Sequence, residues 1–175
     1  MMKKTGYIPI VAMMSRSLRP LLMLLCMAFL AGCSQEDDIY DIFTGKEWHL
    51  AGFYKTPDWD NPNMGTPLND YNSHSDLAAY NLLLLTDGTA VVTLPQGCQL
   101  RAVWDADGNS KLRTFSLTGW RVISGSPETL VGYGRQMYEQ LLKVSYYQGD
   151  ANYIRLFDDS KRYFMQFGDR AKFNP

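Results

Sequence analysis

A succession of short alternating or apolar segments, separated by tight-turn sequences, most constrains the fold of this chain. The apolar run 82–85 is followed by Asp87-Gly88, a dipeptide typical of two-residue hairpins. Residues 89–94 form the predicted return strand. Residues 98–105 alternate apolar and polar side chains with the period of two of a half-buried strand. Neighbouring strands joined by tight turns predict an antiparallel sheet.

The same patterns predict the order of elements along the chain. One strand near Trp48 is followed by a long loop, five antiparallel strands, one helix within 126–143 and three final strands. Ser126 can cap that helix, Pro127 suits its first position, and Gly119 marks a bulge or bend before it. The predicted fold class is α+β, mainly antiparallel β, with about eight strands curled into a barrel-like sheet and one helix before the last three strands.

The N-terminal 32 residues are organised as a secretory signal. Nine uncharged apolar residues, 21–29, follow four lysines and arginines and precede small residues at positions 31 and 32. A membrane-spanning helix needs about 20 apolar residues, and this run has about half that length. The pattern therefore predicts a cleaved signal peptide, residues 1–32. Met13 and Met14 are alternative initiation sites to Met1, because a shorter and more typical signal starts there.

The tetrapeptide Leu30-Ala31-Gly32-Cys33 resembles the lipobox of bacterial lipoproteins at all four positions. The resemblance implies that a diacylglycerol is attached to the Cys33 thiol and that the chain is cut before this residue. More than one acyl chain on the mature protein is sufficient for stable anchoring. The predicted organisation is a signal peptide at 1–32, a lipidated acidic tether at 33–44 and a globular domain at 45–175.

The residues after Cys33 indicate which membrane holds the protein. Ser34, with no aspartate at that position, differs from the inner-membrane retention pattern of enterobacteria and predicts an outer-membrane location. Glu36, Asp37 and Asp38 resemble the export tag that sends lipoproteins to the cell surface in some Gram-negative groups. An ordinary solvated linker has the same composition. The periplasmic side and the cell surface therefore both stay open.

Charge argues against one class of partner. The four basic residues before Cys33 leave 13 of the 17 lysines and arginines in the mature chain, against 18 aspartates and glutamates, a formal charge of about −5. Nucleic-acid binding needs a basic footprint, so no nucleic-acid partner is expected.

Cys98 is the single cysteine after Cys33. A lone thiol in an oxidising compartment suits a small core side chain, and a reactive thiol is the alternative.

Few residues are able to carry chemistry. Residues 72–76, which include His74, contain the residue types of a hydrolase triad, but triad groups converge from separate rigid elements. The chain has only two histidines, His49 and His74. His74 with Asp76 could bind a metal, but this pair has no third ligand and no companion His or Cys cluster. Asp158-Asp159 is typical of a turn. We therefore predict no enzyme, no catalytic residue, no metal site and no cofactor.

A long loop carries the remaining candidate residues. Residues 55–76 contain three prolines, four asparagines and four aspartates, which predicts a loop that is functional or mobile. Trp59 and Tyr71 lie in it. Exposed aromatic side chains suit glycan or apolar ligands, so these two residues form the candidate ligand loop. The alternative is that both rings fold back over the sheet as a lid.

Three local features, in this order, resemble the META (HslJ-like) domain of bacterial envelope lipoproteins. They are a tryptophan strand at 45–50, a hairpin leading into Gly97-Cys98, and a helix at 137–143 running into the last strands. Gln99, where that family has asparagine, and the long loop are departures. The resemblance covers about residues 45–170 and implies a noncatalytic envelope module.

A second resemblance is to the lipocalin barrel, whose first strand carries Gly-x-Trp. Here the spacing from Gly45 to Trp48 is one residue longer.

The predicted function is that of an outer-membrane lipoprotein with a noncatalytic META-like module. Its lipid binds it to the membrane, and its protein or small-molecule partner is unknown. The alternative is a lipocalin-like binder of a small apolar or glycan ligand. A continuous apolar cavity would favour the binder, whereas a filled core with an exposed patch would favour an interaction module.

Overall fold

The alternating segments of the sequence pair into one sheet of nine strands. The computed structural model of the chain describes residues 35–72, 76, 78–107 and 112–172. These residues include two α-helices, α1 (Gln35–Phe43) and α2 (Gly132–Leu141). The strands are β1 (Glu47–Lys55), β2 (Thr66–Pro67), β3 (Asn81–Leu84), β4 (Thr89–Leu94), β5 (Cys98–Ala106), β6 (Phe115–Ser124), β7 (Val144–Gly149), β8 (Tyr153–Asp158) and β9 (Tyr163–Asp169).

Every strand pairing in the sheet is antiparallel, as the tight turns predicted. The strand order is β6-β5-β4-β3-β1-β9-β8-β7, and the short β2 pairs with the end of β1. The helix α2 precedes the last three strands, also as predicted. Strand β1 lies at the centre because it joins the β3–β6 half of the sheet to the β7–β9 half.

The sheet is not closed into a barrel, so the predicted barrel-like closure is wrong. Its end strands, β6 and β7, approach each other near the start of β6. In the described part of the chain they are joined there by the bridge Thr114–Tyr146 and a hydrogen bond from the Tyr147 N–H to the Arg113 carbonyl, 2.9 Å long. Beyond that point β6 pairs only with β5 among these residues. Gly119, with φ +63°, stands where the β5–β6 register shifts. This confirms the predicted bulge. A bulge bends its strand, so we attribute the separation of β6 from β7 to it.

The hairpin turns follow from local sequence. Asp87-Gly88 joins β3 to β4, with Gly88 at φ +79° and the Asp87 carboxylate accepting a hydrogen bond from the Thr89 N–H. Gln96 and Gly97 join β4 to β5, and both have positive φ. Two central residues at positive φ are typical of the hairpin turn whose twist matches that of the flanking strands. The alternation predicted for β5 is confirmed, because Leu100 and its inward neighbours are buried while Arg101 is exposed.

The core lies on the inner face of the curved sheet. Inward side chains from every strand except β2 and from both helices form one buried cluster. Phe43, the last residue of α1, occupies its middle, with ring centroids 5.6 Å from Phe115 on β6 and 5.0 Å from Tyr147 on β7. One aromatic side chain therefore spans the space between the two ends of the sheet.

Residues 35–43, expected to belong to a tether, are helical and part of the core. Ile39 and Phe43, four residues apart, are both buried, so one face of α1 packs on the sheet. In the predicted helix 126–143, Ser126 caps a short 3₁₀ turn (Pro127–Thr129), and α2 starts only at Gly132.

Candidate functional site

Trp59, the first candidate of the ligand loop, lies against the outer face of the sheet. Its ring centroid is 4.6 Å from that of Phe157 and 5.7 Å from that of Tyr146. The Lys161 ammonium lies 4.7 Å from the Trp59 centroid and 4.2 Å from the Tyr146 centroid. Gln148 Nε2 donates a hydrogen bond of 2.8 Å to the Trp59 carbonyl. These contacts fit the lid alternative better than a free aromatic platform.

The Lys161→Met substitution tests this arrangement. Methionine keeps the aliphatic stem but removes the charge above the two rings, so we expect the free energy of unfolding to fall by about 0.5–1 kcal/mol, as for exposed cation–π pairs. Urea titration followed by circular dichroism measures the change. Arg162→Met is the matched control, because Arg162 is the exposed neighbour and stacks on no ring in the described part of the chain. Equal losses in the two variants would contradict the arrangement.

Tyr71, the second candidate, belongs to a separate aromatic cluster. Its ring lies 5.8 Å from Phe53, 5.4 Å from Tyr80 and 5.1 Å from Tyr133, between centroids. Burial, and then the neighbouring Tyr80 and Asp76, raise the pKa of Tyr71. The Tyr71 phenol therefore stays protonated over the physiological range. Trp59 and Tyr71 lie in different clusters and do not form one binding surface.

Two hydrogen bonds attach the loop to α2. Asn69 Nδ2 donates to Gln136 Oε1 at 2.9 Å, and the Tyr133 hydroxyl donates to the Asp70 carboxylate. This second bond lowers the pKa of Asp70 and raises that of Tyr133. Together with the hydrogen bond from Gln148 of β7 to the Trp59 carbonyl, these contacts attach the loop to regular elements at two places.

Arg155, a residue that the sequence did not single out, holds the middle of the loop. It is buried on β8, and its guanidinium donates to Gln166 Oε1 at 2.9 Å and to Asn63 Oδ1 at 2.8 Å. The guanidinium also stacks 4.7 Å from the Tyr153 centroid. The alternation of β8 predicts that Arg155 points away from the core. It does not predict the partner Asn63, which lies in a loop far away in the sequence.

The remaining chemical candidates have structural roles or lie outside the described residues. His49 is buried, and its Nδ1 lies 2.9 Å from Oδ1 of the buried Asn81. Cys98 is buried, and this burial raises the pKa of its thiol, which opposes nucleophilic use. Asp158 Oδ1 accepts a hydrogen bond from Ser160 Oγ in a turn. His74 and Cys33 are outside the described residues. Those that are described contain no group of three or more His, Cys, Asp or Glu that could hold a metal.

A cavity of about 260 Å³ lies near the end of α2. Gln140, Lys143, Leu156, Asp158 and Tyr163 line it. Ligand pockets usually have about 300–1,000 Å³, so this cavity could hold only a small molecule.

A larger groove, of about 420 Å³, lies on the outer face of β4, β5 and β6. Its lining includes Thr89 on β4, Arg101 and Val103 on β5, and Gly119 and Arg121 on β6. Arg101 and Val103 alternate with buried core residues, so they point outward, away from the cluster that fills the sheet. This groove is the candidate functional site.

Two arginines dominate the charge of the groove. Arg101 and Arg121 are direct cross-strand partners. Arg101 Nη2 lies 3.4 Å from Thr89 Oγ1, and the charge of Arg101 contributes, after the hydrogen bonds from Thr89, to the lowered pKa of Asp87. Neither arginine belongs to a salt bridge between described residues. Like charges directly opposite each other destabilise a sheet, so an anionic group from outside would complete this arrangement.

Comparison with known families decides where the chain belongs. A family model described as a domain of unknown function (DUF4847) matches residues 34–169. The chain belongs to the DUF4847 family. A DUF4847 family protein from Bacteroides vulgatus ATCC 8482 has a similar solved structure, with a TM-score of 0.58 and 26% identity, over 74% of this chain and 96% of that chain. An NMR structure of a protein from Burkholderia xenovorans matches with a TM-score of 0.50 and 12% identity, over 75% of this chain and 87% of that one, which shows the fold alone. No curated protein matches.

The DUF4847 match corrects the META resemblance, which is wrong. The three features behind it are present as the Trp48 strand, the β3–β4 hairpin and the helix α2 before β7–β9. Such features are local, and many antiparallel sheets can contain them in this order. Gln99 and the long loop were the departures that pointed elsewhere. Among the described residues of this DUF4847 protein, no helix combines the length and the hydropathy of a membrane span.

Proposed function

We propose that this chain is an outer-membrane lipoprotein, anchored through Cys33 on the periplasmic or cell-surface side, whose DUF4847 domain is a noncatalytic module that binds a partner on its outer sheet face. The boundary of the domain supports the anchor. The family match begins at residue 34 and the compact unit at Gln35, directly after the proposed lipidated cysteine. The lipid would therefore be joined to a folded helix with almost no tether between them.

The filled interior is the observation that carries the binding role. Lipocalin-like binders keep a ligand between the strands of a closed barrel. Here the corresponding space contains Phe43, which contacts Phe115, Tyr147 and, with centroids 5.9 Å apart, Trp104. A filled core with an exposed groove favours interaction through the surface.

A small-ligand binder is the second candidate function. The cavity near the end of α2 favours it, because its lining combines the polar side chains of Gln140, Lys143 and Asp158 with the apolar side chain of Leu156. Its volume of about 260 Å³ lies below the usual range for ligand sites. We therefore place this function second.

The Cys33→Ser variant tests the anchor. In a Gram-negative host, we expect the parent protein to incorporate labelled palmitate and to fractionate with the outer membrane. The variant should lose the label completely and leave the membrane fraction, because the thiol that carries the lipid is absent. Cys98→Ser is the matched control and should keep the label, since Cys98 is a buried core residue. Label retained by Cys33→Ser, or present in neither protein, would overturn the anchor.

Photo-crosslinking in intact cells tests the binding role separately. A photoreactive residue at Val103, in the outer groove, should give a discrete adduct. The same residue at Arg162, which is exposed outside the groove, should give none. Identical patterns at the two positions would contradict binding through this face.

A further inference from the structure

We propose that the open edge of β6 binds an extended, acidic polypeptide segment, which joins the sheet as an additional strand with a carboxylate beside Arg121. The inference rests on the proposed binding role of the outer sheet face and names the partner of that face. It draws on three observations: the open edge, the charge of the groove and the exposed apolar residues of β6.

The edge of β6 is open along its second half. β6 is the terminal strand of the sheet, and residues 118–124 pair with β5 alone in the described part of the chain. All seven residues are exposed except Trp120, which is half-buried and packs against Tyr138 of α2. An edge strand presents unpaired N–H and C=O groups, and proteins commonly blunt such edges. The β5–β6 register shifts twice within this segment, and between these shifts Arg121 and Val122 pair regularly with Arg101 and Leu100. No described strand pairs with the other side of this segment, which leaves room for strand addition by a peptide.

Apolar side chains beside this edge are about half exposed. Val122 is 54% and Ile123 53% exposed. Val122 is the partner of the buried Leu100, and Ile123 lies where the register shifts. Val103, outward on β5, is 56% exposed. An added strand would cover apolar surface on both sides of its backbone.

The charge of the partner follows from a row of side chains across the outer face. Leu83, Val91, Arg101 and Arg121 are successive cross-strand partners on β3, β4, β5 and β6. The next position in this row belongs to the added strand. Two adjacent arginines precede it, so an aspartate or glutamate there forms a favourable cross-strand pair.

The same register predicts the residues beside the acid. An antiparallel strand would place its neighbouring residues opposite Val122 and Ile123, where apolar side chains fit. Read in its own direction, the segment therefore carries two apolar residues followed by an acidic one.

Charge disfavours a second copy of this chain as the occupant. The antiparallel register that pairs all seven residues, 118–124, with their equivalents puts Arg121 directly opposite Arg121 of the other copy. Like charges at directly opposed positions are destabilising, and Arg101 lies beside each of them.

Fluorescence anisotropy with designed peptides tests the proposal. The protein is residues 34–175, which contains the whole compact unit from Gln35. The probe is fluorescein-labelled Ser-Thr-Val-Val-Glu-Val-Thr-Ser. A second peptide has Lys in place of Glu, and a third has Pro in place of the central Val, which removes a backbone donor. We expect the Glu peptide to bind about tenfold more tightly than the Lys peptide, as for exchange of an opposite-charge pair for a like-charge pair. The Pro peptide should not bind measurably.

The Arg121→Glu variant should reverse this preference, so that the Lys peptide binds more tightly. Arg162→Glu makes the same charge change at an exposed position outside the groove and should leave the preference unchanged. Arg121→Gln, which is milder, should remove the preference without reversing it and serves if the Glu variant does not fold. Amide hydrogen exchange at residues 118–124 should slow when the Glu peptide binds the parent protein.

Three results would overturn the proposal. One is equal affinity for the Glu and Lys peptides, and another is a preference that Arg121→Glu does not change. The third is a dimer, detected by light scattering, that Ile123→Glu abolishes and that the Glu peptide does not dissociate. Such a dimer would show that β6 binds a second copy of the chain. None of these outcomes affects palmitate labelling at Cys33, so failure of the inference and failure of the anchor are distinguishable.

Discussion

The Trp48→Ala substitution should lower the free energy of unfolding by about 4 kcal/mol, within the range of 3–5 kcal/mol for buried Phe or Trp to Ala changes. Trp48 is 0% exposed, and its indole N–H donates a hydrogen bond of 2.8 Å to the Phe43 carbonyl at the end of α1. Alanine would leave a cavity in the core and remove the donor from a helix-terminal carbonyl. Since domains of this kind are stable by about 5–15 kcal/mol, this loss would be a large fraction of the free energy of unfolding.

Urea unfolding of residues 34–175, followed by far-ultraviolet circular dichroism, measures this loss. Trp48→Phe separates the two contributions: it keeps most of the apolar volume and loses the N–H, so it should cost about 1–2 kcal/mol. Trp120→Ala, at the half-buried edge position, should also cost less than Trp48→Ala. A loss below about 1 kcal/mol for Trp48→Ala would mean that α1 and β1 do not pack as described.

The Gly125→Ala substitution should cost about 3 kcal/mol, from strain in a left-handed backbone together with a steric clash. Gly125 has φ +66°, and a Cβ there would lie 2.8 Å from Cys98 Cα and 3.0 Å from Cys98 N. These are backbone atoms of β5, so no side-chain rotation can relieve the clash. The β5–β6 hairpin would have to shift.

Gly97→Ala is the matched control, because Gly97 has nearly the same φ, +70°, and a Cβ there would meet no atom within 4 Å. It should cost only the conformational strain, about 1–2 kcal/mol. Thermal unfolding of both variants measures the difference. Equal losses would show that the close approach of residue 125 to β5 is absent in solution.

The short-range features of this fold were predictable from the sequence. Asp87-Gly88 predicted its turn, because Gly88 has a φ of +79°, which most other residues adopt only with strain. The alternation from Cys98 to Asp105 predicted a half-buried strand, and Gly119 predicted a bulge. Each of these signals comes from neighbouring residues, so it can be recognised before any long-range contact is known.

The helix α1 was predictable only in retrospect. Its acidic start resembled a tether, and its buried face consists mainly of Ile39 and Phe43. Two apolar residues are too few to distinguish a docked helix from a linker. Packing against Trp104 and Phe115, more than 60 residues away, selects the helix.

The candidate site depended on the pairing of strands. Arg101 and Arg121 are ordinary as isolated exposed residues, and only the β5–β6 register, shifted at Gly119, makes them partners. Conversely, Trp59 and Tyr71 were the candidate ligand residues because they are aromatic and lie in a loop. In the structure they pack against Phe157 and Phe53 of the sheet. Long-range contacts therefore place the candidate site in the groove and not in the loop.

The sequence by itself determined the antiparallel strands, their turns and a predicted lipid attachment at Cys33, because periodicity, turn geometry and a cleavage motif are local properties. Only the tertiary structure decided that the sheet stays open, that Phe43 fills its interior and that two arginines meet beside an exposed edge. Closure and register depend on the summed twist of nine strands and on packing between residues far apart in the chain. No local pattern encodes that sum.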